Sequence, residues 1–321
     1  MKILLTTTSL QDTPGKHHEY LAKSGFEIVR ARGPLSEQQM LDLIAKEGSF
    51  DGLLNGDDHI TAKVIDALLP RLKVIAKYGI GLDSIDVKYA TSKKIPVLFT
   101  PGVNHTTVAE HTFGLMIALA KGFGVHLAST RAGGWKRVTG TELAGKTIGV
   151  IGMGRVGKEV IKRAVAFGMH PVAFDFHWDE EFAKQYDVRS LSSADDVLKQ
   201  CDIVSLHMSL TDENREYINK ARIATMKKGA MLINTARGGL VNEQDVADAC
   251  KSGQLGGYAT DVVGQEPMTR PHPFDGIDNI IITPHIASRT FESVERQAMR
   301  ASANIVNFLT GGKDFIQANK L

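Results

Sequence analysis

Cysteine is scarce in this chain of 321 residues, which contains only Cys201 and Cys250. The two positions lie far apart and match no metal-ligand spacing, so no metal site is expected. Both side chains are interpreted as small buried apolar groups in a reducing compartment.

Excess charge and long hydrophobic runs are also lacking. The formal net charge is +2, which gives no indication of a nucleic-acid or membrane surface as a partner. No apolar run approaches the ~20 residues of a membrane-spanning helix, and the N-terminal residues 1–6 are typical of a short strand rather than a signal peptide. We therefore expect a cytoplasmic protein with no nucleic-acid and no membrane partner.

The length and the pattern of the chain predict two α/β domains, because 321 residues suit two domains of ~150. Strands alternate with helices in both halves, which predicts two doubly wound parallel sheets. A last amphipathic helix, 290–311, follows the second sheet and is placed back on the first domain. The predicted domains are therefore 1–101 plus 290–321, and 102–289. Strands of the second sheet are expected at 148–151, 171–174, 202–206, 230–233, 256–260 and 279–282.

Three helices carry more specific expectations. One helix is predicted from Pro14 to Ser24, and another begins at Ser36, with Gln39 completing a capping box. A third, from Val108 to Leu119, has more apolar residues than one helix face needs. Either a buried helix or a dimer interface explains this excess, and the interface is favoured.

A glycine-rich turn lies at the centre of the second domain. The apolar run 147–151 leads into Gly152, Gly154 and Gly157, which follow the Gly-x-Gly-x-x-Gly pattern, and a helix comes next. In such a turn the first glycine makes the bend, the second lets the backbone approach a pyrophosphate, and the third lets helix pack on strand. The helix N-terminus then offers N–H groups and a positive dipole to the phosphates.

Asp175 ends the next apolar run. Its distance from Gly157 along the chain is close to the ~20 residues expected for the acid that binds the adenosine ribose. A carboxylate there accepts the ribose hydroxyls and repels a 2′-phosphate. The following residues are Phe176 and His177, so no arginine stands first to bind that phosphate. The sequence predicts NAD as the cofactor.

Three further loops follow predicted strands and contribute Arg237, Glu266 and His285. The carboxyl ends of parallel strands share one edge of a sheet, so these side chains are expected beside the dinucleotide. Hydride transfer from an alcohol requires loss of the hydroxyl proton, which a histidine accepts well. A glutamate orients the imidazole and favours its protonated form. An arginine binds a substrate carboxylate through two parallel hydrogen bonds.

These motifs together resemble the D-isomer-specific 2-hydroxyacid dehydrogenase family, and within it the D-3-phosphoglycerate dehydrogenase branch in a short form without a regulatory domain. The resemblance spans essentially the whole chain, and its motifs are listed here in order: 79–86, 100–102, 108–110, 152–157, 232–239, 261–267 and 284–285. It implies a flavodoxin-like catalytic domain, a Rossmann NAD-binding domain, a small 2-hydroxy or 2-oxo acid as substrate, and a homodimer.

The resemblance also implies roles for individual residues. Arg237 binds the substrate, His285 is the acid/base and Glu266 is its partner. The cofactor is bound by Gly152, Gly154, Arg155, Val156, Gly157, Asp175, Met208, Thr235, Ala236, Asp261 and Ser288. The substrate is bound by the backbone of Tyr78 and Gly79 and by the cations Lys77 and Arg289.

The sequence does not decide which 2-hydroxy acid is the substrate, because the group that would bind its tail differs from the phosphoglycerate pattern. The phosphoglycerate branch carries an arginine after the third strand, whereas here the loop is Asn55, Gly56, Asp57 and Asp58. Glyoxylate, hydroxypyruvate, 3-phosphoglycerate or a related acid are therefore all considered. Two alternatives are a non-catalytic, NAD-sensing corepressor on the same fold, and an enzyme of this class with another donor such as formate or phosphite.

Overall fold

The structure is a computed structural model that describes residues 1–321, and the chain in it divides into two compact units. The first unit consists of Met1–Asn104 and Arg289–Leu321, and the second unit consists of His105–Ser288. The second unit therefore interrupts the first along the chain.

The first unit is built on a five-stranded parallel sheet. Its strands are β1 (Lys2–Leu5), β2 (Glu27–Arg30), β3 (Gly52–Asn55), β4 (Val74–Lys77) and β5 (Val97–Leu98), in the order β2-β1-β3-β4-β5. Its helices are α1 (Thr8–Asp12), α2 (Lys16–Lys23), α3 (Glu37–Glu47), α4 (Ala62–Leu68), α5 (Val87–Ser92) and α13 (Phe291–Thr310). This strand order is that of flavodoxin-like folds and confirms the predicted fold class.

Helix α13 packs on the sheet of the first unit. Its buried face includes Ile305 and Leu309, which join the core formed with β1, β3 and β4. A Cβ atom at Gly52, in β3, would lie 3.1 Å from Ile305 Cδ1, so a glycine allows this close approach. The C-terminal helix thus completes one face of the first sheet.

The second unit is built on a seven-stranded parallel sheet. Its strands are β6 (Thr147–Ile151), β7 (His170–Phe174), β8 (Arg189–Ser190), β9 (Ile203–Leu206), β10 (Ala230–Asn234), β11 (Leu255–Thr260) and β12 (Ile280–Ile282), in the order β12-β11-β10-β9-β6-β7-β8. Its helices are α6 (His105–Ala120), α7 (Phe123–Arg131), α8 (Arg155–Ala166), α9 (Glu180–Gln185), α10 (Ala194–Gln200), α11 (Lys220–Ile223) and α12 (Glu243–Ser252), with a 3₁₀ turn at Gly238–Leu240. Six of these strands follow the Rossmann order, which confirms the predicted fold, and the strand order reverses between β6 and β9.

The capping box at Ser36 is present: Ser36 Oγ accepts from Gln39 N, and Gln39 Oε1 accepts from Ser36 N.

Two elements were missed by sequence reasoning. Strand β8 has two exposed polar residues, so it shows no apolar pattern. Helix α1 was also missed, because its five residues have one buried apolar side chain and leave no helical period to detect.

The interface favoured for the helix Val108–Leu119 is a wrong reading of its apolar excess. Phe113, Leu115 and Met116, in α6, are buried in the core of the second unit itself, with helix α8 packed alongside.

None of the helices taken singly has both the length and the apolar character that a membrane span requires. By length and composition alone, only α6 and α7 taken together could do so, and they are bent by 69°.

Candidate active site

The glycine turn between β6 and α8 has the geometry that a dinucleotide requires. Gly152 has a φ of +99°, and a Cβ there would lie 2.7 Å from the carbonyl carbon of His207. A Cβ on Gly157 would lie 2.1 Å from Gly152 O, so helix and turn touch through backbone alone. A Cβ on Gly154 would meet nothing within 4 Å, which leaves open space before the helix. The turn therefore fits a pyrophosphate at the N-terminus of α8.

Arg155 and Val156 form the first turn of α8, where backbone N–H groups have no partner within the helix. Met208 follows β9 on the other side of the turn, and its backbone nitrogen would lie 2.8 Å from a Cβ on Gly152. The structure thus brings these predicted cofactor residues to the point where the strand order reverses.

Asp175 directly follows β7 and is held beside the same turn. Its Oδ2 accepts a hydrogen bond from Met153 N at 2.6 Å, and its Oδ1 accepts one from His177 N at 2.7 Å. Each carboxylate oxygen has a further lone pair for a ribose hydroxyl. Phe176 is exposed and packs edge-on against Phe174, so no cation follows the acid directly. The arrangement fits an unphosphorylated ribose.

The loop after β10 presents Arg237 and is fixed from within. Buried Asn234 accepts from Ala236 N at 3.0 Å through Oδ1 and donates from Nδ2 to Arg237 O at 2.9 Å. Thr235 Oγ1 lies 2.9 Å from Thr112 Oγ1, in α6. The Asn234 side chain thus holds the backbone of Ala236 and Arg237 through two hydrogen bonds.

His285 and Glu266 lie within hydrogen-bonding distance of each other, as the sequence predicted. His285 Nδ1 and Glu266 Oε2 are 2.6 Å apart, and Glu266 Oε1 accepts from Val263 N at 3.0 Å. His285 has a φ of +52°, a conformation that a residue with a side chain rarely adopts. Its backbone N–H donates to Asp261 O at 2.9 Å. The strained conformation and these bonds together direct the imidazole toward the glutamate.

Asp261 holds the loop that carries His285. Its side chain is 1% exposed and accepts from Thr283 Oγ1 at 2.6 Å, Ile286 N at 2.9 Å and Ala287 N at 2.7 Å. Burial raises the pKa of the Asp261 carboxyl, but hydrogen bonds from His111, Thr283 and the loop N–H groups outweigh it and hold the pKa below its usual value. Both carboxylate oxygens of Asp261 therefore accept hydrogen bonds from within the protein, whereas the resemblance implied that this residue binds the cofactor. Ser288, also predicted to bind cofactor, ends the unit directly after this loop.

His111 is a site residue that sequence reasoning missed. Its Nε2 lies 2.8 Å from Thr283 Oγ1 and 3.4 Å from Asp261 Oδ1, so α6 supports the loop of His285. A detectable signal was present, since a histidine within an otherwise apolar helix needs a polar partner when it is partly buried.

The turn after β4 in the first unit contains the predicted substrate residues Lys77, Tyr78 and Gly79. Tyr78 N donates to Asn55 O at 2.9 Å, and Gly79 N donates to Thr100 Oγ1 at 3.0 Å, so both N–H groups are engaged within the protein. The next two N–H groups, at residues 80 and 81, donate to no protein acceptor.

Two side chains of the same unit complete the predicted substrate residues. Lys77 is buried and donates to Asp57 Oδ1 and Gly56 O. Arg289 Nε donates to Ser9 Oγ at 2.9 Å, which ties this arginine to α1. Burial raises the pKa of Tyr78 well above its usual value, and the charge of Arg289 opposes the shift.

Comparison with known proteins identifies the family. Residues 113–287 match the NAD-binding domain of D-isomer specific 2-hydroxyacid dehydrogenases. The chain is 39% identical over 286 residues to a glyoxylate reductase of Thermofilum pendens, covering 87% of this chain and 83% of that protein. It is 41% identical over 242 residues to a hydroxypyruvate reductase of Thermotoga maritima, covering 74% and 77%. It is also 39% identical to a D-3-phosphoglycerate dehydrogenase of Methanocaldococcus jannaschii, with 89% of this chain and 54% of that protein covered, so it spans about half of that relative.

Solved structures agree with these relatives. The TT0316 protein of Thermus thermophilus has a TM-score of 0.89 and 36% identity, with 99% of this chain and 100% of that chain covered. The D-lactate dehydrogenase of Aquifex aeolicus, solved with NAD and lactic acid, has a TM-score of 0.83 and 28% identity, with 97% and 96% covered. The chain belongs to the D-isomer specific 2-hydroxyacid dehydrogenase family. It is an NAD-dependent oxidoreductase, as the sequence predicted.

Replacing Asp175 with alanine should weaken NADH binding and relax the preference for NADH over NADPH. The carboxylate would contribute charge-assisted hydrogen bonds to the ribose, so the kcat/KM for NADH should fall about tenfold or more. The ratio of kcat/KM for NADH over NADPH should be well above one in the wild type and should drop in the variant. Asp248→Ala, an exposed change on α12, is the control. A wild type that prefers NADPH would remove Asp175 from this role.

Proposed function

We propose that this protein reduces a small 2-oxo acid to the D-2-hydroxy acid with NADH and catalyses the reverse oxidation with NAD. The observation that carries the proposal is the 2.6 Å pair of His285 and Glu266 at the carboxyl edge of a dinucleotide-binding sheet. Glyoxylate, hydroxypyruvate and phosphohydroxypyruvate are the substrates to compare, because relatives are named for glyoxylate, hydroxypyruvate and phosphoglycerate.

Backbone hydrogen bonds hold the three catalytic loops together. Asp261 N donates to Asn234 O at 3.0 Å, which joins the loop after β11 to the loop after β10. His285 N donates to Asp261 O at 2.9 Å, which joins the loop after β12. These bonds continue the ladder of adjacent parallel strands β10, β11 and β12. Arg237, Glu266 and His285 are therefore presented from one connected edge.

The residues can divide the reaction between them. When bound, NAD(H) supplies or accepts the hydride. His285 donates a proton to the carbonyl oxygen during reduction and removes the hydroxyl proton during oxidation. Glu266 holds the imidazole through Nδ1 and stabilises its protonated form. Arg237 has a planar guanidinium suited to the substrate carboxylate and to polarising the adjacent carbonyl.

In the first unit, the turn after β4 supplies further donors for a carboxylate. We assign this role to the N–H groups of Ile80 and Gly81, which lack protein acceptors, in place of those of Tyr78 and Gly79. Gly79, which directly precedes these two residues, has a φ of +134° and is held by two hydrogen bonds with the Thr100 hydroxyl. We therefore still propose that this turn binds the substrate carboxylate, but through N–H groups two residues further along the chain.

We also propose that the protein forms a homodimer through the segment 123–138. Helix α7 has no buried residue, and Trp135 is 81% exposed. Phe123, Leu127 and Val138 are exposed in the same segment. Such a concentration of large apolar side chains is unfavourable in water, and a second copy of the chain would cover it.

A reductase screen with NADH and His285→Ala tests the catalytic proposal. Wild type should oxidise NADH, followed at 340 nm, with at least one of the three 2-oxo acids. Loss of a positioned acid/base should lower turnover by ~10²–10⁴, while NADH binding persists. His170→Ala, exposed at the opposite end of the sheet, should retain activity. Near-normal turnover of His285→Ala would exclude it as the acid/base, and no turnover by wild type would favour an NAD-binding protein without catalysis.

Glu266→Gln should shift the pH dependence of oxidation. Glutamine keeps a hydrogen bond to Nδ1 but removes the negative charge that stabilises the protonated imidazole. Oxidation requires the neutral imidazole, so the acid limb of the kcat/KM profile should move to lower pH. Profiles of wild type, Glu266→Gln and the exposed control Glu181→Gln provide the measurement. A Glu266→Gln profile that superimposes on wild type would show that Glu266 does not govern the proton of His285.

The homodimer is tested by sedimentation velocity with Trp135→Asp. A charge at Trp135, the most exposed of these apolar side chains, should shift the protein from dimer to monomer, because burying an unpaired carboxylate is costly. Phe291→Asp is the matched control, since Phe291 is also exposed but lies in the first unit. Wild type that sediments as a monomer at all concentrations would contradict the proposal.

A further inference from the structure

Lys77 is a buried cation at the carboxyl edge of the first sheet. Its side chain is 3% exposed, and it pairs across the sheet with Asn55, the last residue of β3. Lys77 Nζ donates to Asp57 Oδ1 and to Gly56 O, both at 2.6 Å. A buried ammonium requires such partners, because its desolvation is otherwise unfavourable. The loop after β3 thus supplies the counter-charge of Lys77.

Asp58 fixes the shape of that loop. It is 0% exposed and accepts from Thr6 Oγ1 at 2.5 Å, Leu35 N at 2.8 Å and Gly56 N at 3.0 Å. These bonds hold the backbone on both sides of Asp57. The carboxylate of Asp57 is consequently directed at Lys77, while its side chain remains 71% exposed.

Two buried acceptors beside the loop have no partner. Asn55 Oδ1 and Thr7 Oγ1 are both buried and make no hydrogen bond. Asn55 donates through Nδ2 to Gly56 O at 3.1 Å, and Thr7 Oγ1 would lie 3.7 Å from a Cβ on Gly56. The amide oxygen of Asn55 can only accept, so a hydroxyl, which can donate, satisfies it and an anion, which cannot, is repelled. The Thr7 hydroxyl can either donate or accept.

This cluster is continuous with the turn of residues 78–81. Lys77 directly precedes that turn, and a Cβ on Gly79 would lie 3.3 Å from Lys77 Cε. If the turn binds the substrate carboxylate, as the proposed function holds, the tail of the same acid reaches the cluster of Asn55, Asp57 and Lys77. The inference therefore rests on the proposed function.

We propose that Asp57 determines the specificity for the tail of the substrate by neutralising Lys77. Asp57 balances the charge of Lys77 and keeps a carboxylate at the exposed side of the buried ammonium. An anionic tail, such as a phosphate, meets the like charge of Asp57 before it can reach Lys77. A small or hydroxyl-bearing uncharged tail meets no such repulsion and can donate to the loop. The substrate class is a 2-oxo acid with an uncharged tail.

The test compares phosphohydroxypyruvate with hydroxypyruvate in wild type, Asp57→Asn and Asp57→Ser. Wild type should have the higher kcat/KM for hydroxypyruvate. Removing the charge of Asp57 should raise the ratio of kcat/KM for phosphohydroxypyruvate over hydroxypyruvate by about tenfold or more, the effect of ~1.4 kcal/mol. Asp57→Asn combined with Lys77→Met should lose that gain, because the cation that attracts the phosphate is then absent. Asp42→Asn, an equal charge change on α3, should leave the ratio as in wild type.

Thermal unfolding verifies that each variant is folded before its kinetics are compared. A wild type that prefers phosphohydroxypyruvate, or an unchanged ratio in both folded Asp57 variants, would overturn the inference while leaving the proposed function intact. A wild type that binds NADH but reduces none of the three 2-oxo acids would overturn the proposed function, and the inference with it.

Discussion

The carboxylate of Asp261 must be satisfied inside the second unit, and the way in which it is satisfied fixes the loop that carries His285. Burial favours the neutral acid, whereas donors from Thr283, Ile286 and Ala287 favour the anion, and the donors prevail. Because a buried carboxylate cannot lose these bonds without a large penalty, the loop has little freedom. The left-handed backbone of His285 persists because the surrounding bonds over-determine it. The position of His285 thus depends on the buried side chain of Asp261.

The parallel sheet brings the loops that support His285 to the same edge. Adjacent strands β10, β11 and β12 deliver their loops to one edge, and the strand ladder continues into the bonds between Asn234, Asp261 and His285. Helix α6 adds a second layer of support through His111 and Thr112. The same edge receives the dinucleotide at the glycine turn, where the strand order reverses. The glycine turn and the loops of Arg237, Glu266 and His285 therefore share one edge of the sheet.

The family defines the reaction class but leaves the substrate to local chemistry. Relatives of nearly equal identity are named for glyoxylate, hydroxypyruvate and phosphoglycerate, although the fold is common to them. Function is therefore decided by the loops and not by the fold. In this chain the loop after β3 joins a buried lysine to an aspartate, and we propose that this ion pair changes the charge that an incoming acid encounters. The mere presence of a lysine in the sequence is thus a poor guide to anion binding.

The sequence by itself determined the features that depend on short-range spacing. The three glycines, the strand on either side and Asp175 follow one another within a single β-α-β unit, so local order was sufficient to predict the fold and the cofactor. The sequence also indicated three candidate catalytic residues, because each lies in a loop that follows a strand: Arg237, Glu266 and His285. Only the tertiary structure decided which groups pair across distant parts of the chain. Four contacts join elements that are separate in the sequence. Asp261 and His111 bind Thr283, Asp57 neutralises Lys77, and the N–H group of Gly79 donates to Thr100. The excess of apolar residues in α6 was misread for the same reason, since the sequence pattern cannot tell which neighbour covers a helix face.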